Sequence, residues 1–232
     1  MQKIIFFFIA FCYFSLSFGQ KVDPTRDFRK QIYWGIAFSG TNAKMKMELD
    51  PSFWARNDSL LAVRPLAGAG GAFGGTIAHK FGAEKRFEVK AQTMLHLHQR
   101  SIQYTWKSKP VQTLRIETIS FDVPINLKYY SVMPKNSRFY VMSGLRWSHD
   151  FQSNEDVVIG ASKPLVAIKA NTYYYELGAG FEFRLQYVDL CVELRAANGI
   201  NNALVKVPDS YYSGSMRALY PKLFCLTLMA QN

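Results

Sequence analysis

The stretch Ser120–Tyr130, SFDVPINLKYY, has apolar residues at every second position and polar residues, with one proline, between them. Because successive side chains of a β-strand point to opposite faces, this period of two predicts a strand with one apolar and one polar face. Pro124 has no N–H group to donate to a neighbouring strand. We therefore expect a local bulge or one missing inter-strand hydrogen bond at Pro124.

The same alternation recurs from residue 30 to the end of the sequence, and almost no segment has apolar residues at helical spacing. The sequence therefore predicts an all-β fold of about eight strands, some of which match the roughly 9 to 11 tilted residues that cross a bilayer. Besides the opening stretch, the predicted strands are Gln31–Asn42, Leu66–Lys80, Arg86–Arg100, Arg138–Phe151, Thr172–Gln186, Val188–Ala196 and Tyr220–Ala230.

The predicted connections alternate in length. Ala43–Arg64, Gln152–Ala170 and Ala197–Leu219 are long, whereas Phe81–Lys85 and Ser131–Ser137 are short. Outer-membrane barrels have short periplasmic turns and longer outer loops, and an even number of strands places both termini in the periplasm. The pattern therefore predicts an up-and-down antiparallel transmembrane β-barrel with periplasmic N- and C-termini.

Aromatic residues near both ends of the predicted strands suggest the two girdles of a membrane barrel. They are Phe87, Tyr129, Phe139 and Tyr187 near the short turns, and Trp147, Phe151, Tyr173 and Tyr175 near the long loops. A soluble lipocalin-like barrel or a β-sandwich would bury the apolar faces instead, and periodicity alone does not tell which face is inside. The girdles and the connection lengths favour the membrane barrel.

The N-terminus has the features of a secretory signal peptide. Lys3 precedes an apolar run from Ile4 to Phe14, and small residues follow at Ser17 and Gly19. A membrane anchor helix is the alternative, but the run is shorter than the roughly 20 residues that a spanning helix needs. We expect residues 1–19 to be the signal peptide, 20–29 a short periplasmic segment and 30–232 the barrel.

The chain is basic, with 28 Lys and Arg residues, 17 Asp and Glu residues and a formal net charge of +11. The basic residues are scattered through alternating strands, and an exported protein meets little nucleic acid, so we expect no nucleic-acid partner. The phosphates of outer-membrane lipid and lipopolysaccharide are more available anions.

The polar faces of the strands predict a filled lumen. A barrel of about eight strands has an interior that side chains fill, so a wide channel is not expected. Charges there must pair once they are removed from water. A proton or ion path is the functional alternative, and we favour a structural plug. The predicted lumen residues are Glu88, Lys90, Asp122, Lys128, Glu176, Glu182, Arg184, Glu193 and Arg195.

Two groups of residues raise the question of chemistry. His96 and His98 share one side of a strand, but two ligands do not make a metal site and the spacing offers no third donor. Ser148, His149 and Asp150 are consecutive, and consecutive strand residues face opposite sides, so they cannot form one catalytic triad. We expect no enzyme activity, no metal and no cofactor.

Cys191 and Cys225 lie on the last two predicted strands with the same parity. A disulfide between them requires a register that brings their Cα atoms within about 7 Å. Two buried free thiols are the alternative, which we favour.

The second predicted strand is rich in small residues. Its expected outward face comprises Ala67, Ala69, Gly71, Phe73, Gly75 and Ile77. Small residues permit another membrane protein to pack closely, which makes this strand a candidate partner contact. The alternative, which we favour, is that the glycines let the barrel bend or make room for a bulky inward neighbour.

Five segments carry a resemblance to known proteins. They are Tyr33–Phe38, Asp122–Tyr129, Tyr173–Phe183, Asn198–Val205 and Tyr211–Leu219. Asp122–Tyr129, DVPINLKY, resembles the strand signature of outer-membrane barrels of Bacteroidota. Together the segments resemble the PorT (SprT) family of type IX secretion and gliding-motility components, to which the last two segments are more particular.

The resemblance implies an outer-membrane barrel with an assembly or accessory role in type IX secretion, without enzyme activity, that contacts other secretion components. The alternative function is surface binding or adhesion through the long loops Gln152–Ala170 and Ala197–Leu219.

Overall fold

Nine β-strands dominate the computed structural model, which describes residues 31–132, 136–155, 166–185, 187–206, 210 and 212–232. The expected signal peptide and the segment 20–29 lie outside the described residues. Within these ranges, no helix combines the length and the apolar composition needed to cross a membrane. The strands are β1 (Ile32–Leu49), β2 (Leu60–Leu66), β3 (Gly68–Phe81), β4 (Phe87–Trp106), β5 (Gln112–Tyr130), β6 (Ser137–Asp150), β7 (Asn171–Arg184), β8 (Asp189–Gly199) and β9 (Met216–Gln231).

Eight of these strands form a closed antiparallel ring. From β3 to β9 each strand pairs with the next one along the chain, and β1 closes the ring by pairing with both β3 and β9. β2 lies outside this ring and pairs with the end of β4, from Leu60 opposite Trp106 to Leu66 opposite Ser101. The predicted up-and-down antiparallel barrel of about eight strands is confirmed.

The two ends of the barrel differ in their connections. Short turns join β3 to β4, β5 to β6 and β7 to β8 at one end, called here the short-turn end. β1 begins and β9 ends there, where Trp34 and Asn232 exchange backbone hydrogen bonds of 2.9 and 3.3 Å. The longer connections lie at the opposite, long-loop end, together with the brief link 107–111 between β4 and β5.

The prediction of one long loop at Ala43–Arg64 is wrong. β1 continues to Leu49, because its alternation of inward and outward residues continues, and a short helix α1 (Pro51–Trp54) follows. Asp50 caps α1 by accepting a hydrogen bond from the backbone N–H of Ser52 at 3.0 Å. The rest of the segment contains β2.

The predicted strand Leu66–Lys80 is interrupted at Ala67. Leu66 lies opposite Ser101 and Gly70 lies opposite His98, so the register against β4 shifts by one residue between β2 and β3. Such a shift bends a strand, which allows β2 to separate from β1.

Pro124 interrupts one ladder without shifting its register. Toward β6, Pro124 pairs with Arg146 in an unbroken series. Toward β4, the pairs Ala91–Ile125 and Met94–Asp122 share one register, and the positions between them are unpaired. Of the two alternatives expected at Pro124, the loss of pairing is confirmed and no bulge forms, because a proline lacks the donor but can keep an extended backbone.

An apolar band surrounds the barrel on the side of the short-turn end. The outward side chains Ile32, Trp34, Ile36 and Phe38 of β1 are each more than half exposed, and similar residues continue around the ring. The aromatic residues of both predicted girdles are also exposed. Charged side chains lie inside this band, as in a membrane barrel and unlike a soluble one.

The two faces exchange character toward the long-loop end. The outward residues of β1 become Asn42, Lys44 and Lys46. The inward residues of β4 change from charged to apolar after Arg100 and end with Ile102, Tyr104 and Trp106, all of which are buried. A polar outer face around an apolar core suits water, so this end of the barrel projects beyond the apolar band.

Gly74 and Gly75 lead to opposite predictions for alanine substitution. A Cβ atom on the inward Gly74 would lie 1.8 Å from the Thr93 carbonyl oxygen, whereas on the outward Gly75 the nearest atom is Thr93 Oγ1 at 3.7 Å. We expect Gly74→Ala to lower the free energy of unfolding by about 1–3 kcal/mol, because the backbone must shift. Gly75→Ala should change it by less than about 0.5 kcal/mol. Urea unfolding in detergent micelles measures both, and equal effects would contradict the assigned faces.

Candidate functional site

Among the residues that the structure describes, thirteen charged side chains lie buried inside the barrel and are called here the lumen network. Seven are basic and six are acidic, so their charges nearly balance. They come from β3 to β8, where charged residues at alternate positions point inward. The lumen network comprises Lys80, Glu88, Lys90, Arg100, Asp122, Lys128, Arg138, Arg146, Glu176, Glu182, Asp189, Glu193 and Arg195.

Glu182 is one centre of the network near the short-turn end. It accepts hydrogen bonds from Lys80 Nζ at 3.0 and 3.2 Å and from Arg138 at 2.6 and 2.9 Å. The Tyr130 hydroxyl lies 2.9 Å from the same carboxylate and 2.7 Å from Glu88, so its single proton is shared between two carboxylate acceptors. Charge-assisted bonds of this number compensate for the lost hydration of a buried carboxylate.

Glu193 is the second centre and lies deeper in the barrel. Lys90 Nζ donates to both of its carboxylate oxygens at 2.7 Å. Lys128 Nζ lies 2.9 Å away and the Tyr140 hydroxyl donates at 2.9 Å. Lys128 also contacts Glu88 at 3.1 Å, which joins the Glu193 and Glu182 groups.

A further set of ion pairs lies toward the long-loop end. Arg146 pairs with both Asp122 and Glu176, and the Ser148 hydroxyl donates to Asp122 at 2.6 Å. Arg195 lies 3.8 Å from Glu176 and 3.7 Å from Glu193, so it connects this set to the Glu193 group. The network is therefore continuous along the membrane-embedded part of the barrel.

The structure places eight of the nine predicted lumen residues inside. Arg184 is the exception: it is partly exposed at the end of β7, where its Nε lies 3.7 Å from Asp189. The sequence reading missed Lys80, Arg100, Arg138, Arg146 and Asp189, although all have inward parity on predicted strands. It also missed the tyrosines Tyr130 and Tyr140, whose hydroxyl groups bind the network carboxylates.

His96 and His98 both point inward, but their surroundings do not resemble a metal site. Arg100 Nη2 contacts His98 Nε2, and His96 Nε2 lies 3.6 Å from Asp122. Among the described residues, no group of three His, Cys, Asp or Glu side chains has the geometry to hold a metal ion.

Ser148, His149 and Asp150 diverge as strand geometry requires. Ser148 is buried against Asp122, while His149 is half-buried on the outer face and its Nδ1 lies 3.0 Å from Asn171 Oδ1. A triad needs the imidazole to accept the serine proton, and these two side chains lie on opposite sides of the barrel wall.

Cys191 and Cys225 are buried free thiols. Cys191 lies opposite Met229, and Cys225 lies opposite Arg195. Since the two positions are four residues out of register, about 13 Å along the strands, the alignment that a disulfide needs is absent.

An apolar cluster fills the interior at the long-loop end and is called here the cap. β1, β2, β4, β9 and the connections before β7 and β9 contribute to it. Tyr104 donates a hydrogen bond to the Tyr212 carbonyl at 3.1 Å, and Tyr212 donates to Gln112 Oε1 at 2.8 Å. The cap comprises Met45, Leu60, Val63, Ile102, Tyr104, Trp106, Val166, Ile168, Ala203, Leu204, Tyr212, Met216 and Leu219.

Polar contacts hold the cap connections in place. Asn202 Oδ1 accepts hydrogen bonds from the backbone N–H groups of Leu204 and Leu219, both at 3.0 Å. Lys206 Nζ donates to Asp50, and this bond, followed by those from Ser52, holds the pKa of Asp50 below its usual range. Burial raises the pKa of Tyr104, so its hydroxyl remains a donor.

The outward face predicted for β3 is present. Ala69, Phe73 and Ile77 are exposed and Gly71 and Gly75 lie between them, while Ala72 and Thr76 point inward. Ala67, just before β3, is also exposed. A strand with so little outward volume leaves a depression in the apolar band.

No protein-family model and no curated protein matches the sequence. Solved outer-membrane proteins have similar overall shapes. The outer membrane protein OprG from Pseudomonas aeruginosa is 11% identical, with 87% of this chain and 95% of that chain covered and a TM-score of 0.47. The outer membrane protease OmpT from Escherichia coli is 10% identical, with 90% of this chain and 98% of that chain covered and a TM-score of 0.45. Neisserial surface protein A is 9% identical, with 86% of this chain and 98% of that chain covered and a TM-score of 0.43. The assignment of a small membrane β-barrel rests on the strand topology and face polarity of this chain.

Proposed function

We propose that the protein is a non-enzymatic outer-membrane barrel that serves type IX secretion as an assembly or accessory component. The observation that carries the proposal is an interior filled by the lumen network and the cap. Such a barrel acts through its surfaces and not through a pore.

The filled interior argues against transport. The lumen network pairs its charges along the membrane-embedded part, and the cap fills the part beyond it. Opening a path would leave buried charges unpaired, which costs several kcal/mol for each ion, about 3–5 kcal/mol when one partner is removed.

The resemblance to the PorT family supports the secretion role. Two segments are most particular to the family, Asn198–Val205 and Tyr211–Leu219. Together they contribute to the cap Ala203, Leu204, Tyr212, Met216 and Leu219. The two segments most particular to the family therefore lie at the long-loop end, and we infer that this end meets the partner subunits.

A gene deletion with complementation tests the role. We expect the deletion strain to accumulate type IX cargo in the periplasm and the wild-type gene to restore export, measured by fractionation and immunoblotting. A periplasmic enzyme serves as the leakage control. Normal export with lost surface adhesion would contradict the proposal and favour the adhesion alternative.

Two exposed apolar side chains at opposite ends locate the contact. Ile200 lies at the long-loop end and Val132 at the short-turn end, and they are 55% and 65% exposed. In the complemented strain we expect Ile200→Asp to reduce export and Val132→Asp to leave it unchanged, with equal amounts of folded barrel in the membrane. The reverse result would place the contact in the periplasm.

A further inference from the structure

Two lysines face each other on the outer surface without a counterion. Lys44 on β1 is the cross-strand partner of Lys222 on β9, and both side chains are exposed. Like charges directly opposite in a ladder are destabilising. Among the described residues, the ion pairs of the barrel include neither lysine. An anion from outside the chain would relieve this repulsion.

The lysine pair lies at the height of lipid headgroups. Phe224, which is 52% exposed, is the exposed apolar residue of β9 nearest the long-loop end, and Lys222 lies two residues closer to that end. Two residues rise about 7 Å along a strand, or about 5 Å along the axis at the usual tilt of 35–45°. The interfacial layer on each side of the hydrocarbon core is about 5–8 Å thick. Both ammonium groups are therefore level with lipid phosphates.

A shallow surface pocket, lined by both polar and apolar residues, lies beside the lysine pair. It has a volume of about 200 Å³, and Asn42 and Asn198 line it together with Lys44 and Lys222. Ammonium and amide groups are both donors, and charge-assisted bonds to phosphate oxygens are the strong ones. Phe224 forms its apolar edge.

An apolar groove of about 440 Å³ lies next to this pocket, toward the middle of the band. Its floor is the directly paired Gly40 and Gly71, and its walls are Phe38, Phe73, Leu97, Leu226 and Leu228. A Cβ atom on Gly40 would meet nothing within 4 Å, and on Gly71 nothing closer than 3.7 Å. The packing of the barrel itself, which excludes a side chain at Gly74, does not demand glycine at these two positions.

We propose that this surface binds one phosphorylated lipid of the outer membrane, with a headgroup phosphate between Lys44 and Lys222 and an acyl chain in the groove over Gly40 and Gly71. β1 and β9 contribute residues to both the pocket and the groove. On β9, Phe224 lines the pocket and Leu226, two residues further along, lines the groove. The inference uses only the membrane position of the barrel and is independent of the secretion role.

Native mass spectrometry of the purified barrel in detergent, with diphosphoryl lipid A as the probe, tests the phosphate contact. We expect Lys44→Gln/Lys222→Gln to reduce lipid A retention at least tenfold. The control Lys169→Gln removes one charge from an exposed lysine at the long-loop end and should retain lipid A as the wild type does. Wild-type retention by the double lysine variant would overturn the proposal.

Matched glycine variants test the groove. Gly40→Leu/Gly71→Leu fills it and should also weaken retention at least tenfold, whereas Gly75→Leu, outward on the same strand but outside the groove, should not. Displacement of lipid A by millimolar inorganic phosphate would show a plain anion site and overturn the lipid assignment. A dimer that Gly71→Leu dissociates without loss of lipid would show that a second copy occupies the groove, with the same consequence.

Discussion

Glu193→Ala is expected to destabilise the barrel by about 3–5 kcal/mol, because it leaves buried cations without their carboxylate. Lys90 and Lys128 both contact Glu193 within 2.9 Å, and all three side chains are inaccessible to solvent. Their ammonium groups would keep their desolvation cost and lose much of the compensating attraction. Urea unfolding in detergent micelles, followed by tryptophan fluorescence, measures the change.

Glu84→Ala is the matched control for this variant. Glu84 pairs with Arg86 on the surface of the turn before β4, where its side chain is 68% exposed. Exposed pairs contribute about 0–1 kcal/mol, so this variant should unfold nearly as the wild type does. Comparable losses in the two variants would contradict a structural role for the lumen network. Ion conductance in planar bilayers gained by Glu193→Ala alone would indicate that the network blocks a path.

Leu60→Ala is expected to lower the free energy of unfolding by about 2–5 kcal/mol. Leu60 is 2% exposed and belongs to the cap, where residues from distant parts of the chain surround it. Removal of its side chain loses apolar burial and leaves a cavity that connections of fixed length cannot fully close. The same urea titration measures the loss.

The neighbouring Leu61 supplies the control, because it points outward on β2 and is 57% exposed. Leu61→Ala removes the same atoms without opening a cavity and should change stability by less than about 0.5 kcal/mol. If both leucine variants were equally stable, the cap would not be a packed core. If Leu60→Ala lost stability but export stayed normal, tight packing of the cap would not be required for the proposed secretion role.

The strand pattern made most of the fold predictable. Alternation in Ser120–Tyr130 and its counterparts gave the strand type and the correct faces, since side-chain direction in a strand depends only on parity. Parity also indicated most lumen residues, including Asp122 and Lys128. Parity failed at Ala43–Arg64. There β1 extends beyond the apolar band and its outer face becomes polar, so a prediction that expected an apolar outer face ended β1 too early.

The cap was not predicted, although a signal for it exists in β4. Its inward positions continue beyond Arg100 with Ile102, Tyr104 and Trp106 in the same parity, while Gln103 and Thr105 point outward. Along such a strand the inward residues change from polar to apolar and the outward residues change from apolar to polar. This exchange marks the point where a barrel leaves the membrane, because the medium outside changes from hydrocarbon to water.

By itself the sequence determined the local conformation: where strands run, which residues share a face and where proline removes a donor, because these depend on neighbours along the chain. Only the tertiary structure decided which charge meets which. Lys90 and Glu193 are 103 residues apart, and Cys191 and Cys225 share a face but not a register. Closure of the ring sets those distances, since the stagger of eight strands is a property of the whole barrel.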